Sequence, residues 1–206
     1  MPKMNNSPCS VNLTGIVLAG GLSSRLGHDK AQVRLANAEE PDFLARAAGM
    51  LAACCQRVII VGRAHPDYEH CPDDIPGRGP AGGIATALKV SESACLVLSC
   101  DLPFMEREVL ERLIACRAER PVGTLATSYR QKDTGHVESL VAIYEKEALP
   151  CFQSRIHEGR LKTSQAVPLS QQHFLDYTAE EALPFFNINY PADLLVARKI
   201  IQMMGR

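Results

Sequence analysis

The chain has 206 residues, of which 46% are hydrophobic and 22% are charged, and its formal net charge is -1. This composition is typical of an ordinary globular protein. A near-neutral chain lacks the clustered positive charge on which nucleic-acid binding depends, so we expect no nucleic-acid partner. No apolar run approaches the ~18 residues of a membrane span, and the first residues lack a secretory pattern. We therefore expect a cytoplasmic protein with no membrane partner.

We expect residues 1–12 to form a loose tail and residues 13–206 to form a single domain. The domain begins with a short apolar run that ends at Gly20 and Gly21, which is typical of a strand buried on both faces of a parallel sheet. Two glycines allow a sharp turn and bring backbone N–H groups close to an anion. Arg25 and Lys30 add positive charge. The stretch therefore predicts a phosphate-binding loop.

The spacing of this loop narrows the class of nucleotide site. This loop contains neither G-x-x-x-x-G-K-[ST] nor G-x-G-x-x-G, so an ordinary P-loop ATPase or a nicotinamide-binding domain is not expected. The alternative to a phosphate site is a Gly-Gly turn followed by two solvated cations.

Beyond this loop, apolar runs typical of buried strands alternate with helical periodicities, which predicts an α/β fold with a mostly parallel sheet. The predicted strands cover 57–62, 94–100, 123–128 and 139–144, and the predicted helices cover 44–51, 81–89, 109–114, 145–157 and 191–204. Residues 65–80 contain four prolines, two glycines and three aspartates, so we expect a loop across the mouth of the sheet.

Eight cysteines are spread along the chain without a C-x-x-C pair. Most of them lie in apolar runs, which favours buried thiols in a reducing compartment over disulfides or a metal centre.

Ligands of open α/β sheets bind outside the carboxyl ends of the strands, and Asp101 directly follows the strand predicted at 94–100. A glycine loop with cations, opposite a carboxylate, predicts a site for a nucleoside triphosphate with Mg²⁺, and Asp101 is the candidate metal ligand. The alternative is that Asp101 caps the helix that follows it.

The segment from Asp73 to Gly83 is rich in glycine and proline, so its backbone is both stiff and open to close approach. Such a segment suits a flat base, and the Asp73 carboxylate could accept hydrogen bonds from the N1–H and amine of guanine. An ordinary surface turn is the alternative.

Four motifs together resemble the molybdenum cofactor guanylyltransferases, the MobA proteins. They are L-A-G-G-x-S-x-R-L-G-x-D-K from Leu18, D-x-x-P-G-x-G-P-x-x-G-I from Asp73, C-D-x-P from Cys100 and N-x-N-x-P-x-D-L from Asn187. The resemblance implies a three-layer α/β/α, Rossmann-like nucleotidyltransferase fold. It also implies transfer of GMP from Mg²⁺·GTP to the terminal phosphate of molybdopterin, which gives molybdopterin guanine dinucleotide and pyrophosphate.

The resemblance also assigns roles to residues. It places Leu18, Ala19, Gly20 and Gly21 along the nucleotide, Arg25 and Lys30 on its phosphates, Asp73 at guanine, Gly79 and Gly83 in the second loop, Asp101 on Mg²⁺, and Asn187 and Asn189 near the pterin or the metal. Arg25, Lys30 and Asp101 are the implied catalytic residues. Tyr190 stands where the family usually has Thr. Molybdenum-insertion enzymes and apo-molybdoenzymes are the implied protein partners, and among the histidines we expect only His136 near the acceptor.

Three other functions stay open from the sequence. One is a nucleotidyltransferase of the same fold that acts as a molybdopterin cytidylyltransferase or on a sugar or polyol. Another is a non-catalytic GTP-binding protein that carries the cofactor. A third is a cysteine-based metal carrier.

Overall fold

The computed structural model describes residues 12–20, 34 and 41–204. The strands are β1 (Leu13–Leu18), β2 (Arg57–Val61), β3 (Glu69–Cys71), β4 (Ala94–Ser99), β5 (Ala126–Gln131), β6 (Val137–Tyr144) and β7 (Gln172–Tyr177). The α-helices are α1 (Phe43–Ala52), α2 (Gly79–Val90), α3 (Arg107–Ala118), α4 (Leu149–His157) and α5 (Pro191–Met203). Residues 1–11 of the predicted tail lie outside the described residues.

The seven strands form one sheet in the order β3-β2-β1-β4-β6-β5-β7. Strand β6 runs antiparallel to both of its neighbours, and the remaining strand pairs are parallel. The predicted α/β class with a mostly parallel sheet is therefore confirmed.

The structure corrects the sequence analysis at three strands. The segment 65–80 is not all loop, because β3 lies within it and pairs with β2. Strand β7 was not predicted, and it pairs with β5. Strand β5 covers 126–131 rather than 123–128. Both unpredicted strands lie at edges of the sheet and are largely exposed or half-buried, so they lack the continuous apolar run that predicts a buried strand.

The core lies on both faces of the sheet, as a three-layer fold requires. One face, called here the α1–α3 face, packs against α1 and α3 and includes Leu98 and Tyr177. The other, the α2–α4 face, packs against α2 and α4 and includes Val97 and Phe152. A smaller cluster, formed by Phe43, Phe104, Ile188 and Ala197, joins α5 to the start of α1 and to the segment that follows β4.

The structure also shows the state of several of the cysteine thiols. Cys71, Cys95, Cys116 and Cys151 hold free thiols. Burial raises the pKa of the Cys95 thiol to about 11, so this sulfur behaves as an apolar core atom rather than a nucleophile. Among residues 12–20, 34 and 41–204, no helix is long and apolar enough to cross a membrane.

Candidate functional site

The candidate site lies where the chain changes direction across the sheet. From β1 the chain passes through α1 to β2 on one side, and from β4 it passes through α3 toward β5 on the other side. The switch point is therefore between β1 and β4, where open α/β sheets bind their ligands. Leu18 lies opposite Ser99 in the register of these two strands. The segments that follow them, which contain Gly20 and Asp101, thus leave the sheet side by side.

Backbone contacts fix the segment that follows β1. The N–H of Ala19 donates to the carbonyl oxygen of Val61 at 3.0 Å, and the N–H of Gly62 donates to that of Cys71 at 2.9 Å. Gly62 has a φ of +90°, and a Cβ built on it would lie 2.5 Å from the Cα of Gly20. Gly62 is therefore required for this close approach of two backbones. Gly62 is not among the predicted site residues, although it stands at the end of the strand predicted at 57–62, where a glycine indicates a turn or a close approach of two backbones.

The structure describes only some of the other residues predicted to form this loop. Gly21, Arg25 and Lys30 lie outside the described residues, so their placement stays a prediction. Leu18 is half-buried and lies against the first turns of α2, where a Cβ on Gly83 would approach its Cδ2 to 3.0 Å. Gly83 therefore lets α2 pack closely on the end of β1.

The Asp73 carboxylate organises the loop that leads into α2. Its Oδ1 accepts hydrogen bonds from the N–H of Ile75 at 3.0 Å and from the hydroxyl of Thr86 at 3.2 Å. Thr86 Oγ1 also accepts a hydrogen bond from the N–H of Asp74 at 3.1 Å. Within the described residues, Oδ2 of Asp73 accepts no hydrogen bond, so this half-buried carboxylate keeps one oxygen for a ligand. Sequence reasoning missed Thr86 because nothing local to it signals this contact.

Close packing also shapes this second loop. Gly79 has a φ of +59° at the start of α2, and a Cβ on Gly82 would lie 2.8 Å from the carbonyl oxygen of Ile75. Glycine is therefore needed for the turn at Gly79 and for the contact at Gly82, and the loop folds tightly over the helix N-terminus.

Asp101 lies at the carboxyl end of β4 and contacts the last of the four motifs. The Ser99 hydroxyl donates to Asp101 Oδ1 at 2.5 Å. The N–H of Ile188 donates to the carbonyl oxygen of Asp101 at 3.0 Å. The alternative role for Asp101 as a helix cap is wrong, because α3 begins only at Arg107, with Glu106 at its N-cap position.

The segment 187–190 is held by a residue that the sequence analysis left without a role. Asp193 Oδ2 accepts hydrogen bonds from the N–H groups of Asn189 and Tyr190, both at 2.8 Å. Asp193 stands in the first turn of α5, where a carboxylate also opposes the positive end of the helix dipole. The sequence did offer a way to find Asp193, because this residue is the aspartate of the N-x-N-x-P-x-D-L motif.

Asn187 supplies a second side-chain oxygen, besides those of Asp101, that is able to bind a metal ion. Its Oδ1 is buried, and within the described residues it has no hydrogen-bond partner. A buried amide oxygen without a partner costs ~1–3 kcal/mol, so a ligand that binds it recovers this energy. Oxygen donors such as a carboxylate and an amide carbonyl are those that Mg²⁺ prefers. The chemistry of Asp101 and Asn187 therefore fits a magnesium ion.

Comparison with known proteins decides the family. Residues 15–185 match the model of the MobA-like NTP transferase domain. The chain belongs to this family. The match covers both loops, Asp101 and most of the sheet, and it confirms the resemblance found in the sequence.

Two relatives are similar to this chain along about nine-tenths of their length. A probable molybdenum cofactor guanylyltransferase of Pelotomaculum thermopropionicum is 31% identical over 199 residues, which cover 90% of this chain and 91% of that protein. One from a Nostoc species is 33% identical over 195 residues, which cover 90% of both chains.

Solved structures agree with the fold. Molybdopterin-guanine dinucleotide biosynthesis protein A of Archaeoglobus fulgidus has a TM-score of 0.73 and 26% identity, covering 93% of this chain and 100% of its own. The 2-C-methyl-D-erythritol 4-phosphate cytidylyltransferase of Thermus thermophilus has a TM-score of 0.65 at 15% identity, covering 93% of this chain and 100% of its own, and shares the fold alone. The Rossmann-like nucleotidyltransferase fold is thus confirmed.

Proposed function

We propose that this protein transfers GMP from GTP to the terminal phosphate of molybdopterin, forming molybdopterin guanine dinucleotide and pyrophosphate. The observation that carries the proposal is that Leu18 to Gly20, Asp101 and Ile188, which belong to three of the four motifs, lie together at the switch point between β1 and β4, in a member of a family of NTP transferases. Relatives that share about nine-tenths of the chain are named for guanylyl transfer to the molybdenum cofactor.

The nucleotide occupies the β1 side of the switch point. Its guanine lies over the loop before α2, where Asp73 Oδ2 accepts hydrogen bonds from the N1–H and the exocyclic amine. Asp73 Oδ1 is already held by Ile75 and Thr86, so the carboxylate is oriented before the base arrives. A preorganised acceptor loses little conformational entropy on binding, which favours affinity and selectivity.

The triphosphate lies along the segment from Leu18 to Gly21, with Arg25 and Lys30 as its cationic partners. Asp101 and Asn187 would hold Mg²⁺, with Asn189 held close by through Asp193. When bound, the ion supplies charge neutralisation at the phosphate oxygens.

The reaction itself needs positioning rather than a protein base. An oxygen of the acceptor's terminal phosphate forms the new bond to the α-phosphorus of GTP, and the bond from that phosphorus to pyrophosphate breaks on the opposite side. The attacking phosphate is already ionised, so no residue has to remove a proton. The contribution of the chain is to hold the two phosphates in line and to oppose developing negative charge with Arg25 and Lys30.

The resemblance to the MobA proteins also implies the partners and the setting of this enzyme. The acceptor is supplied by enzymes that build the pterin and insert molybdenum, and the dinucleotide is delivered to apo-molybdoenzymes. We place the reaction in the cytoplasm.

Calorimetric titration of the protein with GTP, CTP, ATP and UTP, each with and without Mg²⁺, tests the nucleotide half of the proposal. Selective binding of GTP that strengthens with Mg²⁺ is expected. Preference for CTP would instead favour the cytidylyl branch of the fold. Incubation with Mg²⁺·GTP and molybdopterin then tests the transfer, since release of pyrophosphate with dinucleotide formation is expected. Binding without pyrophosphate release would favour a carrier protein.

A further inference from the structure

Glu138 lies at the same end of the strands as Asp101, where β4 stops and β6 begins, although no motif contains it. It is the second residue of β6, which runs antiparallel to β4 with Leu98 opposite Val141. Asp101 follows Leu98 toward the carboxyl end of β4, and Glu138 precedes Val141 by the same number of positions. The two carboxylates therefore belong to neighbouring segments at one edge of the sheet.

An irregularity in the sheet turns Glu138 toward the α1–α3 face. The register between β5 and β6 shifts between Ser128 and Arg130. Leu140 packs on the α2–α4 face, and Ser139 Oγ lies 2.7 Å from Oγ1 of Thr163, which stands in the chain between Leu161 and Ala166 of the same face. Strict alternation is thus interrupted, as bulges do when they re-aim a side chain.

The Glu138 side chain is largely buried, and only one of its two carboxylate oxygens accepts a hydrogen bond within the described residues. Its Oε1 accepts a hydrogen bond from the Tyr177 hydroxyl at 2.5 Å, and Tyr177 belongs to the core of the α1–α3 face. Among the described residues, Oε2 accepts no hydrogen bond, and the side chain is only 16% exposed. Burial raises the pKa of Glu138, so its ionised form gains from any further hydrogen-bond donor.

The aromatic ring that holds Glu138 also contacts the segment that contains Asn187. The ring centroids of Tyr177 and Phe185 lie 4.5 Å apart. Phe185 precedes the segment in which Asn187 has its unpartnered Oδ1 and Ile188 bonds to Asp101. Tyr177 therefore links Glu138, through Phe185, to the segment of the chain that contains Asn187.

We propose that Glu138 binds the pyrimidine edge of the acceptor pterin, with Oε2 accepting hydrogen bonds from its 2-amino group and N3–H. This inference rests on the proposed function. A pterin presents the same pair of donors as guanine, and an ionised carboxylate, which only accepts hydrogen bonds, complements such a pair. Tyr177 is a positioning residue, because its hydroxyl fixes the other oxygen.

The order of the strands supports two separate ring sites. The Asp73 loop follows β3, whereas Glu138 lies on β6, and β2, β1 and β4 lie between them. At ~4.8 Å per strand, this spacing separates β3 from β6 by ~19 Å. Asp101 stands between them, at the end of β4. A dinucleotide also has its two ring systems on opposite sides of the pyrophosphate link, so one carboxylate serves each ring.

Kinetics of Glu138→Gln test this assignment. With saturating Mg²⁺·GTP, the KM for molybdopterin is expected to rise about tenfold to a hundredfold, as for the loss of one charge-assisted interaction. The kcat and the Kd for GTP are expected to stay close to those of the parent protein. Asp176→Asn is the matched control, since this carboxylate lies next to Tyr177 but bonds to Arg130 at the surface. It is expected to leave the KM unchanged.

A comparison of two inhibitors tests the same contact without relying on a variant. Pterin and lumazine differ at position 2, where lumazine has an oxygen in place of the amino group. The parent protein is expected to be inhibited more strongly by pterin, and Glu138→Gln is expected to lose that preference. Equal inhibition of the parent protein, or an unchanged KM in Glu138→Gln, would overturn the assignment of Glu138. Failure of the parent protein to form any dinucleotide would instead overturn the proposed function.

Discussion

The N–H of Ile188 donates a hydrogen bond to the carbonyl oxygen of Asp101 at 3.0 Å, and this contact joins two distant motifs at one corner of the sheet. Ile188 is fully buried and packs with Phe43, Phe104 and Ala197. This packing holds Ile188 in place against Asp101. The contacts that position the start of α5 therefore also position the backbone of Asp101.

Replacement of Asp193 by Ala tests this connection. The variant leaves the N–H groups of Asn189 and Tyr190 without their acceptor. Loss of a capping interaction costs ~1 kcal/mol of stability, which chemical denaturation measures. Turnover is expected to fall by more than this stability loss explains, because Asn187 and Asn189 shift relative to Asp101.

Glu181→Ala is the matched control for Asp193→Ala. Glu181 accepts a hydrogen bond from the N–H of Thr178 at 3.0 Å in a similar local cap, away from the switch point. It is expected to lose a similar amount of stability with unchanged turnover. Equal turnover in both variants would show that the start of α5 does not position the site.

Asp101→Asn keeps the shape of the side chain and removes its charge. Turnover is expected to fall by at least about a hundredfold, because a metal ligand in such a reaction contributes several kcal/mol of transition-state stabilisation. Initial rates across a Mg²⁺ series, with a thermal melt to verify folding, provide the measurement. A variant with a near-normal rate and Mg²⁺ response would mean that the ion is held elsewhere.

Gly62→Ala is expected to disturb the nucleotide side of the site. An added Cβ would lie 2.5 Å from the Cα and 2.8 Å from the N of Gly20, and both are backbone atoms that cannot move aside cheaply. Gly159→Ala is the matched control, because Gly159 also has a positive φ, of +73°, but nothing lies within 4 Å of its added Cβ.

Both glycine variants are expected to lose ~1–2 kcal/mol of unfolding free energy from backbone strain, and Gly62→Ala is expected to lose more because of its contact with Gly20. Only Gly62→Ala is expected to weaken GTP binding as well, measured by calorimetric titration. Equal GTP affinity in the two variants would contradict a role for the packing of Gly20 on Gly62.

Much of the fold could be predicted because its central strands are continuous apolar runs with glycine or aspartate at their ends. Strands β3 and β7 escaped prediction because edge pairing depends on a neighbour that local sequence does not reveal. The same reason hides Thr86, which contacts Asp73 across the start of α2, and Glu138, which the β5–β6 irregularity and Tyr177 orient. Asp101 and Asn187 could be singled out as candidates because their motifs are short, recognisable stretches of sequence.

Asp73→Asn separates the structural role of this residue from its role in base selection. Asn keeps an oxygen that can accept from Ile75 and Thr86, so the loop is expected to stay folded. It replaces the free oxygen by an N–H₂ donor, which opposes the donors of guanine. The preference for GTP over ATP is expected to fall about tenfold or more, as measured by competition binding. A preserved preference would assign base selection to backbone groups alone.

The burial of Glu138 also predicts how the free energy of unfolding depends on pH. Burial raises its pKa above the ordinary value of 4.5, although the Tyr177 hydroxyl and His136, whose Nε2 lies 3.7 Å from Oε1, act in the opposite direction. A carboxyl with a raised folded-state pKa stabilises the fold fully below its unfolded pKa, and this contribution is lost as the pH rises through the folded pKa.

The unfolding free energy of the parent protein, minus that of Glu138→Gln, is therefore expected to decrease as the pH rises above 4.5. Urea denaturation of both proteins between about pH 4 and about pH 8 measures this difference. The comparison is repeated in a His136→Gln background, which removes the imidazole whose Nε2 lies 3.7 Å from Glu138 Oε1, and the same decrease is expected there. Parallel stability profiles in both backgrounds would mean that Glu138 is solvated like a surface carboxylate, which would contradict the buried, half-used acceptor on which pterin binding depends.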